Sequence, residues 1–205
     1  MPRIKAATVA EHREQQRRAL LNAARDLLAE TGQAPSLAEV GARAGLARSS
    51  VYEYVRSRDG LLEAVVADIF PAWTERISTA IADASSPGAK VWAYVESNVD
   101  FFTGSEQRVA RALGAVVDPA VLHGPLQDFH RSLQGPLRDA LRDLGEPDPD
   151  VTADMVDAVV LSSTQEARTR RRASTDEERA AILAALRRLL GPYLDLPADA
   201  PTAPR

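Results

Sequence analysis

Residues 36–62 decide the fold of this chain, and they read SLAEVGARAGLARSSVYEYVRSRDGLL. Ser36 and Glu39 have the spacing of a capping box, in which each side chain accepts a hydrogen bond from the other residue's backbone amide. Gly45 then ends a short helix, because glycine readily adopts the conformation that follows a helix end. A second short helix fits residues 48–55. The pattern therefore predicts two short helices joined by a tight turn.

The composition of the two short helices fits a helix-turn-helix. Helices that cross closely need small residues at the crossing and apolar anchors that hold the angle. The small residues are Gly41, Ala42 and Ala44, and the anchors are Leu37, Val40, Leu46 and Val51. In such a motif the second helix enters the major groove of DNA. Its outward face carries Arg48, Ser49, Ser50, Tyr52 and Tyr54.

This region resembles the N-terminal part of the TetR family of bacterial transcriptional repressors. The matching features are a helix over residues 13–32 that ends in glycine, the run AEVGARAGLARSSVYEYV, and a serine and a basic residue before LLEAV. The resemblance covers residues 13–66 and is most specific at Gly45, at the Ser50-Val51-Tyr52 step and at Leu61-Leu62. Gly41 departs from the family, where alanine is usual.

The resemblance implies which residues contact DNA. The recognition-helix contacts fall on Arg48, Ser49, Ser50, Tyr52 and Tyr54. Arg48 has the reach for a bidentate contact to guanine, worth roughly 1–3 kcal/mol of discrimination, and the two tyrosines resemble aromatic residues that pack on the phosphate backbone. Arg58 takes the place of a lysine that anchors a phosphate, and Ser36, at a helix N-terminus, suits another phosphate.

The charge of the chain is divided unevenly. The net charge of the 205 residues is −4, yet residues 1–60 hold 10 Lys and Arg against 7 Asp and Glu. The remaining residues hold 15 against 22. A basic N-terminal quarter on an acidic body indicates that the first part meets a polyanion.

Composition excludes several classes of protein. With 45% hydrophobic and 26% charged residues the chain is ordinary globular protein, neither collagen-like nor wholly disordered. The absence of cysteine excludes disulfides, thiolate nucleophiles and cysteine-bound metals. The longest apolar run is residues 180–186, too short for a membrane span, and the N-terminus does not read as a signal peptide. We expect a cytoplasmic protein with no membrane partner.

Helical periodicity runs through most of the chain and strand alternation is nearly absent. We predict an all-α fold of about nine helices: an N-terminal three-helix DNA-binding domain and a C-terminal helical domain for ligand binding and dimerisation. The expected parts are a flexible arm over 1–12, the helix-turn-helix domain over 13–58, the helical domain over 59–195 and a disordered tail over 196–205. We expect a kink or break at Pro71 and an interruption at Gly135-Pro136.

The aromatic residues of the body have two interpretations. Most are expected in the core, whereas the resemblance implies an apolar ligand pocket with a few polar groups. The candidates for a pocket are Trp73, Trp92, Phe101, Phe102, His123, Phe129 and His130. The histidines at 123 and 130 share a helix face but lack a third well-placed ligand, so we predict no metal site and no cofactor.

The last two helices carry apolar stripes. The resemblance implies that they pack against the same helices of a second copy as a four-helix bundle. The candidate interface residues are Met155, Val159, Ile182, Leu183, Leu186 and Leu190.

Three classes of function remain open. The first is a homodimeric repressor, released from a palindromic double-stranded DNA operator by an unknown small molecule. The second is an all-α ligand-binding or scaffolding protein without DNA binding; it should have an eroded recognition helix, whereas Arg48, Tyr52 and Arg58 are present. An enzyme is the weakest hypothesis, because the sequence has no nucleophile elbow, glycine-rich phosphate loop or catalytic histidine arrangement. We therefore predict no catalytic residue.

Overall fold

The computed structural model describes residues 6–169 and 175–196, and within these ranges it contains ten helices and no strand. The helices are α1 Ala6–Thr31, α2 Leu37–Ala44, α3 Arg48–Tyr54, α4 Arg58–Ala82, α5 Pro87–Thr103, α6 Ser105–Val116, α7 Pro119–Asp143, α8 Pro149–Ser163, α9 Gln165–Thr169 and α10 Asp176–Leu190. The predicted all-α class is confirmed. Among the described helices, none has the length and apolar character needed to cross a bilayer.

Two ends of the chain differ from the sequence prediction or lie outside the described residues. Helix α1 begins at Ala6, so residues 6–12 are helical rather than part of an arm. The run of residues 6–10, AATVA, favours this extension because alanine has the highest helix propensity. Residues 1–5, and residues 197–205 of the predicted tail, lie outside the described part.

The tenth helix arises because α8 ends earlier than predicted. Thr164 separates α8 from α9 and is completely buried. Its hydroxyl donates to the backbone carbonyl of Val160 at 2.8 Å, a local bond that competes with the helical pattern. The periodicity of the sequence predicts a single helix over about residues 150–170 instead.

The chain divides into two compact units. The first comprises Met1–Pro71 with Arg108–Leu126, and the second comprises Ala72–Gln107 with Gln127–Arg205.

The first unit contains the predicted helix-turn-helix, with α1 packed on α2 and α2 packed on α3. Its core is formed by apolar residues of each helix, all at most 4% exposed: Leu20, Ala24, Leu28, Val40, Val51, Leu61, Leu62 and Val65. These are the residues that the periodicity of the sequence places on inward faces. The core fixes the relative positions of α1, α2 and α3.

The second unit is built around α5, which packs against α8, α9 and α10. Its buried residues include Val91, Val95 and Val99 of α5, Leu137 and Leu141 of α7, Val156 and Val160 of α8, and Leu186 of α10. A turn after α10 buries Leu194 as well, at 2% exposure. The Leu194 carbonyl lies so close to Gly88 that a Cβ built there would be 1.9 Å from its oxygen. Only glycine fits at this position of α5.

The expected helix break at Gly135-Pro136 is wrong, because α7 runs unbroken from Pro119 to Asp143. A proline inside a helix costs about 3 kcal/mol, whereas each fully buried leucine contributes about 1.5–3 kcal/mol. Leu133, Leu137 and Leu141 are at most 2% exposed and lie on both sides of the proline. Their burial therefore outweighs the cost of Pro136.

The glycine before each internal proline of α7 also helps. The ring of a proline clashes with the Cβ of the residue before it in a helix. Gly124 precedes Pro125 and Gly135 precedes Pro136, and neither glycine has a Cβ. Helix α4 likewise continues through Pro71 without a break, and Ile69 and Trp73 on either side are 2% and 3% exposed.

Candidate nucleic-acid interface

The turn between α2 and α3 has the geometry that the sequence predicts. Gly45 adopts the left-handed conformation, with φ of 69°, and the amide of Leu46 donates to the Gly41 carbonyl at 2.9 Å. Val40 and Val51 are buried beneath the two helices, at 0% and 1% exposure. The turn and these two valines set the angle between α2 and α3.

The outer face of α3 is exposed. Arg48, Ser49 and Tyr52 are exposed, while Ser50 and Tyr54 are half-buried. The Arg48 guanidinium carbon lies 5.9 Å from the centroid of the Tyr52 ring, within the range of a cation–π contact. This contact holds the long, flexible Arg48 side chain against the Tyr52 ring on the outward face of α3.

Tyr54 makes a hydrogen bond within the first unit. Its hydroxyl donates to Gln16 Oε1 at 2.8 Å, so α3 is fastened to α1 near its C-terminal end. Gln16 could not be identified from the sequence, because a lone glutamine on α1 carries no local pattern. If Tyr54 contacts a phosphate, its hydroxyl must do so as an acceptor from water or after exchanging this bond.

The N-terminus of α2 has the full capping box. Ser36 Oγ accepts from the Glu39 amide at 3.2 Å, and Glu39 Oε2 accepts from the Ser36 amide at 2.8 Å and from its hydroxyl at 2.7 Å. These hydrogen bonds hold the pKa of Glu39 below its usual value. Ser36 therefore caps α2, and a phosphate at Ser36 would have to displace a carboxylate from the same donors. The phosphate contact of Ser36 stays a prediction.

Two exposed arginines flank the cap of α4. Ser57 Oγ accepts from the Gly60 amide at 3.0 Å, which begins α4 and leaves Arg56 and Arg58 exposed on either side of the serine. Among the described residues neither arginine is held in an ion pair. Arg58 was predicted as a phosphate contact. Arg56 was missed, although its sequence position next to Ser57 was a usable signal.

Other arginines of this unit are engaged in holding helices together. Arg43 of α2 forms a bidentate pair with Glu30 of α1 at 2.8 and 2.9 Å, and this contact lowers the pKa of Glu30. Arg17 binds Glu14 at 2.9 Å and lies 3.7 Å from Asp68. These ion pairs are exposed and contribute little stability. They distinguish structural arginines from the unpaired set at 48, 56 and 58.

The sequence of this unit matches a known family model. Residues 20–65 match the model of bacterial regulatory proteins of the tetR family. This segment is therefore similar to the N-terminal part of tetR-family regulators. The match includes α2, the turn and α3, and it ends within α4. No functionally curated protein sequence matches the chain.

Solved structures of similar fold cover 84–90% of this chain. A TetR transcriptional regulator from Streptomyces coelicolor has a TM-score of 0.56 at 22% identity, covering 90% of this chain and 99% of that one. FadR from Bacillus subtilis, solved in complex with stearoyl-CoA, has a TM-score of 0.61 at 14% identity, with 84% and 96% covered. NemR from E. coli, in its reduced form, has a TM-score of 0.62 at 18% identity, with 84% and 96% covered.

The aromatic candidates of the second unit form mainly a packed cluster. The ring centroids of Trp73 and Phe101 are 4.9 Å apart, and those of Phe101 and Phe129 are 5.7 Å apart. Trp73, Phe101 and Phe129 are at most 7% exposed. Phe102 lies 5.3 Å from Phe101. Trp73, Phe101 and Phe129 are thus buried against one another, whereas Phe102 is half-buried.

The remaining pocket candidates lie apart from this cluster or at its edge. Trp92 is half-buried, with the Arg187 guanidinium 5.1 Å from its ring, and His130 is exposed at 6.0 Å from Phe129. His123 is exposed and belongs to the first unit, whereas His130 belongs to the second. Among the described residues no group of three side chains could hold a metal ion.

A polar cluster that the sequence did not predict lies among α5, α7 and α8. The hydroxyl of Tyr94 donates to Asp157 Oδ1, and the side-chain amide of Gln134 donates to Asp157 Oδ2. Burial raises the pKa of Asp157. It also raises the pKa of Tyr94, with a further contribution from the Asp157 charge. The three residues are 40 and 23 positions apart in sequence, so no spacing indicated them.

The dimer candidates are divided between core and surface. Leu186 is only 2% exposed and belongs to the core of its own unit, because it lies on the face of α10 that meets α5. Met155 is 61% exposed, and Val159, Ile182, Leu183 and Leu190 are half-buried. The stripe read from the sequence thus combines an inner face and an outer face of α10.

Proposed function

We propose that this protein is a homodimeric transcriptional repressor that a small molecule releases from a palindromic DNA operator. In this proposal residues 13–58 bind DNA and residues 59–195 bind the ligand and the second copy. The observation that carries it is the exposed, unpaired set of Arg48, Arg56 and Arg58 on a tetR-type helix-turn-helix. A regulator of this kind acts by binding rather than catalysis, and it works in the cytoplasm, where bacterial DNA lies.

The proposed base reader is Arg48. Its guanidinium has five donors in a planar fork that match the two acceptors of guanine in the major groove. The contact with Tyr52 restricts the arginine before DNA arrives, which lowers the entropy lost on binding. Arg56 and Arg58 are proposed as phosphate contacts, since they are exposed and have no anionic partner among the described residues.

The proposed dimer surface consists of the outer faces of α8 and α10. These helices pack on each other, and they expose Met155 at 61%, Leu161 at 38% and Leu189 at 61%. Exposed alanines surround Leu189 on α10, namely Ala180, Ala181, Ala184 and Ala185. Small residues between larger apolar ones let two helix pairs approach closely, as in a four-helix bundle. A dimer of this kind would present two recognition helices to half-sites about one turn of DNA apart.

In this proposal a small molecule bound in the helical body releases the protein from DNA. The FadR structure from Bacillus subtilis contains stearoyl-CoA, which supports a ligand in a protein of this fold. Any ligand can shift the DNA-binding equilibrium only by its difference in affinity for the two states.

The experiment is selection of binding sites from random duplexes by the purified chain at two salt concentrations. The proposal expects a palindrome, and light scattering of the complex should give two chains per site. Arg48→Ala should weaken the selected site by about 1–3 kcal/mol more than random DNA. Arg58→Ala should weaken all DNA alike and reduce the salt slope by about one.

The matched control is Arg131→Ala, an exposed arginine on α7 whose ion pair, among the described residues, is with Asp128 of its own helix. It changes the net charge equally and should leave DNA binding unchanged. Loss of binding in the control equal to that of Arg48→Ala would mean that only net charge matters. Failure to enrich any sequence would favour the second hypothesis, a helical ligand-binding or scaffolding protein.

A further inference from the structure

We propose that Glu53 of α3 selects a cytosine in each half of the DNA operator. The inference rests on the proposed function and deepens it, because it adds a second base reader to Arg48 and names the base that this reader selects. Glu53 is not among the residues to which the sequence resemblance assigns a DNA contact.

Glu53 lies near the centre of the outward face of α3. Val51 is the buried residue of this helix, at 1% exposure, and marks its inward side. Successive residues of an α-helix are about 100° apart around its axis, so Glu53 lies about 160° from Val51 and Arg48 only about 60° from it. Ser49 and Glu53 are both exposed, and residues four apart are neighbours on a helix surface. Glu53 therefore faces away from the unit more directly than Arg48 does.

Glu53 differs from the glutamates that hold the helices of the first unit in place. Glu39 accepts from the Ser36 amide at the start of α2, and Glu30 pairs with Arg43. Within the described part of the chain, the Glu53 side chain has no hydrogen-bond or ion-pair partner. It also lies in the last turn of α3, where the helix dipole disfavours a negative charge. This carboxylate thus opposes helix stability instead of adding to it.

A carboxylate on a surface that meets DNA has few partners. An ionised carboxylate only accepts hydrogen bonds, and the negative phosphates repel it. The donors in the major groove are the N4 amino group of cytosine and the N6 amino group of adenine. Adenine also presents its N7 acceptor beside the amino group, which repels a carboxylate, whereas cytosine presents no acceptor there. Cytosine is therefore the base that a carboxylate on this face selects.

The same carboxylate weakens binding to other sequences. Where no cytosine amino group meets Glu53, its charge lies close to phosphates without a donor to offset the repulsion. Specificity arises both from contacts to the right partner and from repulsion of the wrong ones. Glu53 thus acts in both ways, whereas the cationic Arg48 is attracted to phosphates on any sequence.

The test is selection of binding sites from random duplexes by the unaltered full chain, by Glu53→Gln and by Glu75→Gln. At one position of each half-site the unaltered chain should favour cytosine about fivefold or more over each other base. Glutamine pairs with N6 and N7 of adenine. Glu53→Gln should therefore change the favoured base at that position to adenine, leave the other positions unchanged and strengthen binding to random DNA.

The matched control, Glu75→Gln, changes the net charge equally at an exposed glutamate of the second unit. It should keep the cytosine. Thermal unfolding of both variants should match that of the unaltered chain, because both glutamates are exposed.

A second measurement alters the DNA instead of the protein. In a selected duplex, 2-pyrimidinone replaces the cytosine and thereby removes only the N4 amino group. The unaltered chain should bind this duplex about fivefold more weakly than the selected one, whereas Glu53→Gln should bind the two duplexes equally. Equal binding of the two duplexes by the unaltered chain would overturn the inference.

The outcomes separate this inference from the proposed function. A selected operator with the same bases for the unaltered chain and Glu53→Gln rejects the inference and keeps the regulator. A base other than cytosine at the position that Glu53→Gln changes also rejects it, as does a gain in affinity that is equal on every sequence, since the carboxylate would then only repel DNA. No selected sequence from any of the three proteins rejects the regulator and the inference with it.

Discussion

The close crossing of α2 and α3 predicts a strong coupling between Gly41 and Val51. A Cβ built on Gly41 would lie 2.8 Å from Val51 Cγ2 and 3.4 Å from the Leu46 carbonyl. The first distance is shorter than real Cβ contacts allow, and Val51 is 1% exposed. Because valine in a helix has one strongly preferred rotamer, Val51 cannot turn its methyl away. Alanine at 41 must therefore displace α3.

Two opposing effects set the size of the change. Alanine inside a helix gains about 1 kcal/mol over glycine, and overpacking a buried site costs about 1–3 kcal/mol. Gly41→Ala should therefore lower the free energy of unfolding by up to about 2 kcal/mol. In a Val51→Ala background the blocking methyl is gone. Gly41→Ala should then raise the free energy of unfolding by about 1 kcal/mol. The coupling between the two sites is thus about 1–3 kcal/mol.

Urea unfolding of the four proteins measures this coupling directly. The two single variants, the double variant and the unaltered chain form a double-mutant cycle, and sites without contact are additive within about 0.5 kcal/mol. A coupling below that value would refute the packing argument. Site-selection experiments on Gly41→Ala should in addition show weaker operator binding at unchanged recognition residues, because α3 is displaced rather than altered.

Further predictions concern the second unit and the glycines of the helices. Gly88→Ala should destabilise the chain by more than 2 kcal/mol, because the Leu194 carbonyl occupies the position of its Cβ; a variant that unfolds with the parent would contradict this. Gly114 lies in open space within α6, so Gly114→Ala should raise the free energy of unfolding by about 1 kcal/mol. Gly135→Ala should lower it, because the new Cβ meets the ring of Pro136. If calorimetry shows that both variants shift the unfolding temperature in the same direction, the clash with Pro136 is refuted. Asp157 has a raised pKa, so it makes the folded state lose stability as pH rises through that pKa. At pH 7 the free energy of unfolding of Asp157→Asn should exceed that of the parent, and the difference should shrink as pH falls toward 4. A difference that does not depend on pH would show that the carboxylate charge is not its cause.

The helix-turn-helix could be predicted from the sequence because its determinants are local. A capping box needs only Ser36 and Glu39, and the helix end needs only Gly45 with its positive φ. The second capping box, at Thr175 and Glu178, is likewise present as its spacing indicates. Short-range hydrogen bonds of this kind are encoded within three or four residues.

The features that could not be predicted depend on distant parts of the chain. The break expected at Pro136 was wrong because the burial of leucines against other helices outweighs a local cost. The Asp157 cluster joins residues of three helices, and the bond between Tyr54 and Gln16 joins residues 38 positions apart. The apolar periodicity of α10 could not show which of its residues pack inside the second unit and which stay at the surface.

The contact between Gly88 and the Leu194 carbonyl has a consequence for folding during synthesis. The two residues are separated by about 100 positions, which a ribosome adds in about 5–20 s. Residues 20–65 emerge early and contain α2, the turn and α3 of the helix-turn-helix. The second unit cannot close on α5 until the turn after α10 has left the ribosome. A ribosome stalled shortly before Leu194 would therefore carry a folded helix-turn-helix and a second unit in which the surface of α5 around Gly88 is still exposed. Chaperones that bind apolar surface would then bind the second unit rather than the helix-turn-helix.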